Sequence, residues 1–216
     1  MTVINTNTAA TIAANSLAKN ERAMNEAMER LSTGKRINNA GDDAAGLAIS
    51  SRMTSQIEGL QQAARNANDA ISMIQTADGA LTEITSILQR MRELTVQASS
   101  ATNSTTDITA LATEFNGLRD EVANIVTYTS WNGRTLLNGA VDGAGDDIVT
   151  FQIGSNTAQS INVDFGTFAV EAGTGNDFGG SFTTGLSFDS NTTANTAMGY
   201  IDTAITAVTT RQATLG

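Results

Sequence analysis

The sequence predicts a mainly α fold: a long antiparallel helical bundle or coiled-coil rod with a β-hairpin excursion. Three observations carry this reading. The 216 residues contain no proline, where ordinary usage near 5% would give about ten, and proline is the residue that breaks helix interiors. Apolar side chains recur at helical spacing as far as about residue 126 and then, in one later stretch, at a spacing of two. Charge and glycine content change near Arg134. Up to that residue there are 11 basic and 14 acidic residues (11 − 14 = −3) and 7 glycines; beyond it there are 1 basic and 8 acidic (1 − 8 = −7) and 12 glycines.

Each element has its own signal. Leu17, Met24 and Leu31 recur every seven residues with Met28 on the same flank, so Asn5 to Thr33 reads as one helix with a seam, ended by Gly34. Lys35 to Gly41 is a polar loop, and Asp42 or Asp43 caps the next helix. That helix runs to about Ala98, roughly 57 residues and about 85 Å at a rise of about 1.5 Å per residue. Its stripe holds Leu60, Ala67, Ile74, Leu81 and Leu88 at one heptad position. The second position shifts from Ile57, Ala64 and Ile71 to Ala77, Ile84, Met91 and Ala98. Ser104 or Thr106 caps a third helix striped by Ile108, Leu111, Phe115, Leu118, Val122 and Ile125, antiparallel to the second because the joining loop is short. Val149, Phe151 and Ile153, a turn at Gly154 to Ala158, then Ile161, Val163 and Phe165 spell a β-hairpin. Residues 169–190 have no usable period and read as an exposed segment. Ser190 or Asn191 caps a last helix striped by Ala194, Met198, Ile201, Ile205, Val208 and Leu215. The divisions are therefore 1–41, 42–135, 136–168, 169–190 and 191–216.

Composition closes off several functions. There is no cysteine and no histidine, which removes disulfides, thiolate sites, histidine zinc sites and the Ser-His-Asp and Cys-His chemistries. A net charge of −10 opposes nucleic acid and anionic membrane surfaces. No run of about 18 apolar residues is present, and Met1 to Asn20 has no general secretory signal pattern, so if the protein leaves the cell, another route carries it. Ser32 and Lys35 match a Ser-x-x-Lys spelling, but without its companion motifs a glycine-capped helix end is the better reading. Gly34-Lys35 lacks the first glycine of a phosphate loop. Gly143 to Val149 fits one copy of a calcium repeat that needs several, and Asp42 and Asp43 lack the bidentate glutamate of a calcium loop. Asp120 and Glu121 point to different helix faces, away from paired acid/base work. The expectation is no enzyme, no cofactor and no metal. Stripes this long offer more apolar flank than their neighbours cover, and the surplus should meet further copies of the chain.

The residues also spell a family. Val3 to Asn7, Glu29 to Asn38, Asp42 to Ile49, Arg65 to Ile71, Gln89 to Gln97, Trp131 to Gly133 and Phe151 to Gly154 resemble the N-terminal region of bacterial flagellin, across residues 1 to about 165. Ile201 to Gly216 resembles the start of its C-terminal region, and 169–190 occupies the place of its variable outer domain. The resemblance implies an extracellular structural subunit of the flagellar filament, a homopolymer of other flagellin subunits, exported by the flagellar type III apparatus and added under a cap. Flagellar cap and junction proteins would be partners; nucleic acid and membrane would not. It implies that the first helix lines the inner tube, with Leu17, Met24 and Leu31 as subunit contacts, and that 42–135 forms the outer tube. It further implies recognition by Toll-like receptor five at Gln89, Arg90, Leu94 and Glu114, with Leu94 as an apolar anchor rimmed by charge. Flagellins carry a further C-terminal helical stretch, and the sequence reaches Gly216 before it, so this chain by itself is expected not to polymerise. Rival readings are a hook–filament junction-type axial protein and a secreted calcium-binding module.

Overall fold

The computed structural model describes residues 7–139, 141, 147–168, 178 and 188–216. Four helices carry most of them: α1 (Thr8–Thr33), α2 (Ala44–Ala98), α3 (Thr105–Tyr128) and α4 (Asn191–Leu215). Two antiparallel hairpins lie between α3 and α4, β1 (Ser130–Trp131) with β2 (Arg134–Thr135) and β3 (Ile148–Gln152) with β4 (Ser160–Asp164). The chain divides into two units, Met1–Gly59 and Leu60–Gly216, with the boundary inside α2. The variable segment expected at 169–190 lies outside the described residues except for Phe178 and 188–190. So do the first residues of the helix expected from Asn5, and Gly143 to Asp146 of the calcium-like run.

In the first unit, the Asn7 side chain caps α1 by accepting from the Ala10 amide at 3.1 Å, and Gly34 ends it at φ 66°, the left-handed conformation that glycine adopts without strain. Two aspartates that looked equivalent as caps have separate tasks. Asp43 accepts the Gly46 amide at 2.9 Å and caps α2. Asp42 accepts the backbone amides of Asn38 and Asn39, each at 3.1 Å, and ties the preceding loop. Those two hydrogen bonds hold the Asp42 carboxyl below its usual range.

In the second unit, α2, α3 and α4 share one apolar core. Along α2 the buried positions include Ala63, Ala70, Ala77, Ile84, Met91 and Ala98, an unbroken seven-residue repeat. The heptad shift expected near residue 74 is therefore absent. Ile57, Leu60 and Ile71, which the sequence placed on the seam, are about half exposed, because before residue 77 the buried line runs through alanines, which let neighbouring backbone approach closely. On α3, Ser104 and Asp107 form a reciprocal capping box, and Ile108, Phe115, Val122 and Val126 are buried. On α4, Ser190 is the cap and Ala194, Ala197, Ile201, Ala204 and Val208 are buried. Burying a large apolar side chain stabilises by roughly 1.5–3 kcal/mol, so a seam half built of alanine depends on its Leu, Ile and Phe positions.

Polar pairs fix the helix directions. Asn191 donates to the Ala98 carbonyl at 3.0 Å, Arg92 pairs with Asp202 at 2.6 Å, and Gln212 donates to Asp78 and Thr82 at 3.2 Å. Along this series the α4 number rises as the α2 number falls, so α4 is antiparallel to α2. Arg90 to Glu114 at 2.8 Å, with a six-residue connection from 99 to 104, makes α3 antiparallel as well.

The hairpin pairs Val149 with Val163 and Phe151 with Ile161 on one face. Phe165, Phe168, Leu136 and Leu137 extend the core towards it, and Phe115 meets Phe188 edge-on with centroids 5.1 Å apart. Asn66 reaches from α2 to the Gln152 carbonyl at 3.0 Å, and Arg211 of α4 pairs with Asp164 of β4. The small β1–β2 hairpin was not expected, although Asn132-Gly133, at φ 49° and 78°, is a known two-residue turn signal. Gly139 is glycine for cause: at φ 76°, a Cβ there would sit 2.6 Å from the Thr167 hydroxyl.

Candidate functional site

Two surfaces carry the candidate residues, one in each unit. In the first unit, α1 buries none of its side chains. Leu17, Met24 and Leu31 lie one above another at heptad spacing and are between 58% and 85% exposed, with Ile12 and Met28 also open. The opposite side carries Lys19, Arg22, Glu26 and Arg30, where Arg30 pairs with Glu26 one turn away. The sequence placed all three stripe residues correctly on one helix face. It also left the first helix without an internal partner, and in the structure the whole stripe is uncovered.

In the second unit, the surface around α2 and α3 brings Arg90 and Glu114 together, while Gln89 lines a neighbouring groove with Glu93. Arg90 is a bridge: its Nε and Nη2 donate to Glu114 at 3.2 and 2.8 Å, and its Nη1 to Glu93 at 2.9 Å. Glu114, then Glu93, hold the guanidinium charge more firmly than usual. Leu94 does not join them. It is 1% exposed and belongs to the core between the helices, because its position faces α3 and α4 while Arg90 and Glu93 face outward. The apolar anchor expected there is thus corrected: Leu94 supports the surface from beneath, and the exposed apolar side chain of this stretch is Val96. Gln89, Arg92, Glu93, Val96 and Gln97 line a shallow groove, and Arg92 in turn holds Asp202 of α4. No periodicity in the sequence points to that ion pair, whose partners are 110 positions apart.

The other motifs resolve into local structure. Thr33 donates to the Glu29 carbonyl and accepts from the Lys35 amide, closing the end of α1 around Gly34. Of the calcium-like run, Asp147 is described; its backbone carbonyl accepts the Phe165 amide at 3.0 Å as the hairpin ladder continues. Among the described residues no three acidic side chains gather as a metal cage would require.

An antiparallel bundle with interhelical ion pairs, a flanking hairpin, and a further amphipathic helix left uncovered define the class: a helical structural protein whose working parts are faces rather than a cleft. Residues 4–142 match the family model described as "Bacterial flagellin N-terminal helical region". "Polar flagellin F" of Vibrio parahaemolyticus is 48% identical over 161 residues, 74% of this chain and 41% of that protein. Flagellin of Escherichia coli K12 is 48% identical over 162 residues, 75% of this chain and 31% of that protein. The crystal structure of Bacillus cereus flagellin superposes with a TM-score of 0.57 at 31% identity, covering 70% of this chain and 81% of that one. A hook-associated protein of Vibrio parahaemolyticus shares the fold at 15% identity and a TM-score of 0.60. The chain belongs to the bacterial flagellin family, a family of structural proteins. It spans less than half the length of the two curated relatives named here.

Proposed function

We propose that the chain is a structural subunit of the bacterial flagellar filament, outside the cell, assembling with other flagellin subunits. The observation that carries this reading is α1: a 26-residue helix with a capped start, a glycine stop and an apolar stripe, none of which is buried. Most helical stability in proteins comes from packing of an amphipathic face rather than from propensity, so an uncovered stripe of this length calls for packing against another surface. In this reading 1–41 forms the inner tube, with Leu17, Met24 and Leu31 as subunit contacts. Residues 42–135 form the outer tube, 136–168 the hairpin, 169–190 the variable exterior and 191–216 the return helix. Export runs through the flagellar type III apparatus, and cap and junction proteins are further partners.

The test is seeded polymerisation of the chain joined to the C-terminal segment of a flagellin relative, followed by electron microscopy. Growth into tubes, abolished by Leu17→Asp with Met24→Asp, is the expected result. Monodisperse particles that never extend a seed overturn the reading and favour a junction-type axial protein.

The same proposal makes the chain a ligand of Toll-like receptor five through Gln89, Arg90 and Glu114, with Leu94 as their support. Arg90→Ala or Glu114→Ala should lower receptor signalling with helix content unchanged; undiminished signalling removes the assignment.

A further inference from the structure

Seven methionines occur in the sequence; of the described ones Met198 is half-buried, and the other five fall into two environments. Met73 and Met91 are core residues, 4% and 0% exposed. Met24 and Met28 of α1 are 58% and 62% exposed, and Met53 near the start of α2 is 55% exposed. Met24 and Met28 are four residues apart, so their thioethers share one helix face with Leu17 and Leu31. Two soft sulfurs thus occupy the middle of an apolar stripe that nothing in its own unit covers.

We propose that Met24 and Met28 form an oxidation site that controls packing of α1, with a two-electron oxidant of the peroxide class as co-reactant. A sulfur lone pair attacks one oxygen of hydrogen peroxide, the O–O bond breaks, an S–O bond forms, and the released hydroxide takes the remaining proton to leave as water. Sulfur is oxidised by two electrons and peroxide is reduced. Each sulfoxide puts a strong dipole and hydrogen-bond acceptor where the stripe was apolar, and burying it against a like stripe leaves that acceptor unsatisfied. Oxidation before assembly therefore blocks the seam, and a seam already packed shields its sulfurs. The buried pair Met73 and Met91 keeps the bundle of the second unit intact under the same exposure. This control rests on the reading of α1 as a subunit contact; the oxidation site itself does not.

The experiment exposes the chain to hydrogen peroxide, digests samples over time and follows each methionine by mass spectrometry. Met24 and Met28 should convert at least about tenfold faster than Met73 and Met91; equal rates overturn the site. Sedimentation of the chain joined to the C-terminal segment of a flagellin relative, at rising concentration and before and after treatment, is compared with a Met24→Leu, Met28→Leu variant of the same fusion that keeps the stripe but has no sulfur at those two positions. Treatment should weaken self-association of the parent at least about tenfold and leave the variant unchanged. A treated parent that associates as strongly as the untreated one overturns the control. An untreated fusion that stays monomeric throughout overturns the seam reading and the control with it, while the conversion rates still decide the oxidation site.

Discussion

Leu94 and Arg90 are four residues apart on α2 and do different work. Leu94 fills the space between three helices, so Leu94→Ala removes buried carbon and should cost about 3 kcal/mol, read as a lowered urea midpoint. Arg90 joins two exposed carboxylates, and Arg90→Ala should leave the urea midpoint nearly unchanged, because solvent screens both pairs. A receptor defect in the leucine variant would therefore come with a destabilised bundle, and one in the arginine variant would not. Arg211 is the single basic residue after Arg134, and it is placed on Asp164, where it ties α4 to β4. Arg211→Ala should destabilise by about 1 kcal/mol, a modest figure because Asp164 is nearly half exposed and solvent screens the pair. An unchanged urea midpoint would show that the hairpin is held by its apolar face alone.

At the scale of an element, α3 depends on its first turn. Ser104 donates to the Asp107 carboxylate through both its hydroxyl and its amide, and these bonds hold the Asp107 carboxyl below its usual range. A group with a depressed folded pKa contributes stability that is fully present above the ordinary aspartate value of about 3.9 and is lost as pH falls through the lower folded value. Acid titration followed by amide exchange should thus fray α3 from its start at low pH and leave it capped at neutral pH. Ser104→Ala should cost about 1 kcal/mol at neutral pH, and less once Asp107 is protonated.

The sequence foretold this cap, as it did Gly34, the two strands of the β3–β4 hairpin and Ala194, Ile201 and Val208 on α4, since each depends on residues close together in the chain; Met198, Ile205 and Leu215 of the expected α4 stripe are half-buried, and Ala197 and Ala204 are buried instead. It misplaced Ile57, Leu60 and Ile71, because large apolar side chains dominate a periodicity, whereas the buried line of α2 runs through Ala63, Ala70 and Ala77. Leu94 was misread for a related reason: heptad spacing gives faces, but which face is covered depends on a helix about a hundred residues further on. The polar bridges from Arg92, Asn191 and Gln212 left no local signal at all.

At the scale of the molecule, the two units should differ in protection. The first offers α1 with no buried side chain, while the second closes three helices around a shared core. Amide exchange should be fast along α1 and slow along residues 77–98 of α2. Trypsin should cut first at Arg22, Lys35 or Arg36. First cuts at Arg90 or Arg92 would contradict the contrast.

The bundle of the second unit has its own timetable. Its third helix comes after both hairpins, and the polar contacts that seat it on α2 join residues 93 to 134 positions apart. Loops that long carry a large closure entropy before any packing rewards them. A chain emerging amino end first, from a ribosome or through a narrow conduit, can wind α2 and α3 but must leave one flank of α2 vacant until residues 191–215 follow. Completion waits for that helix, and the bundle stays pliable until it arrives.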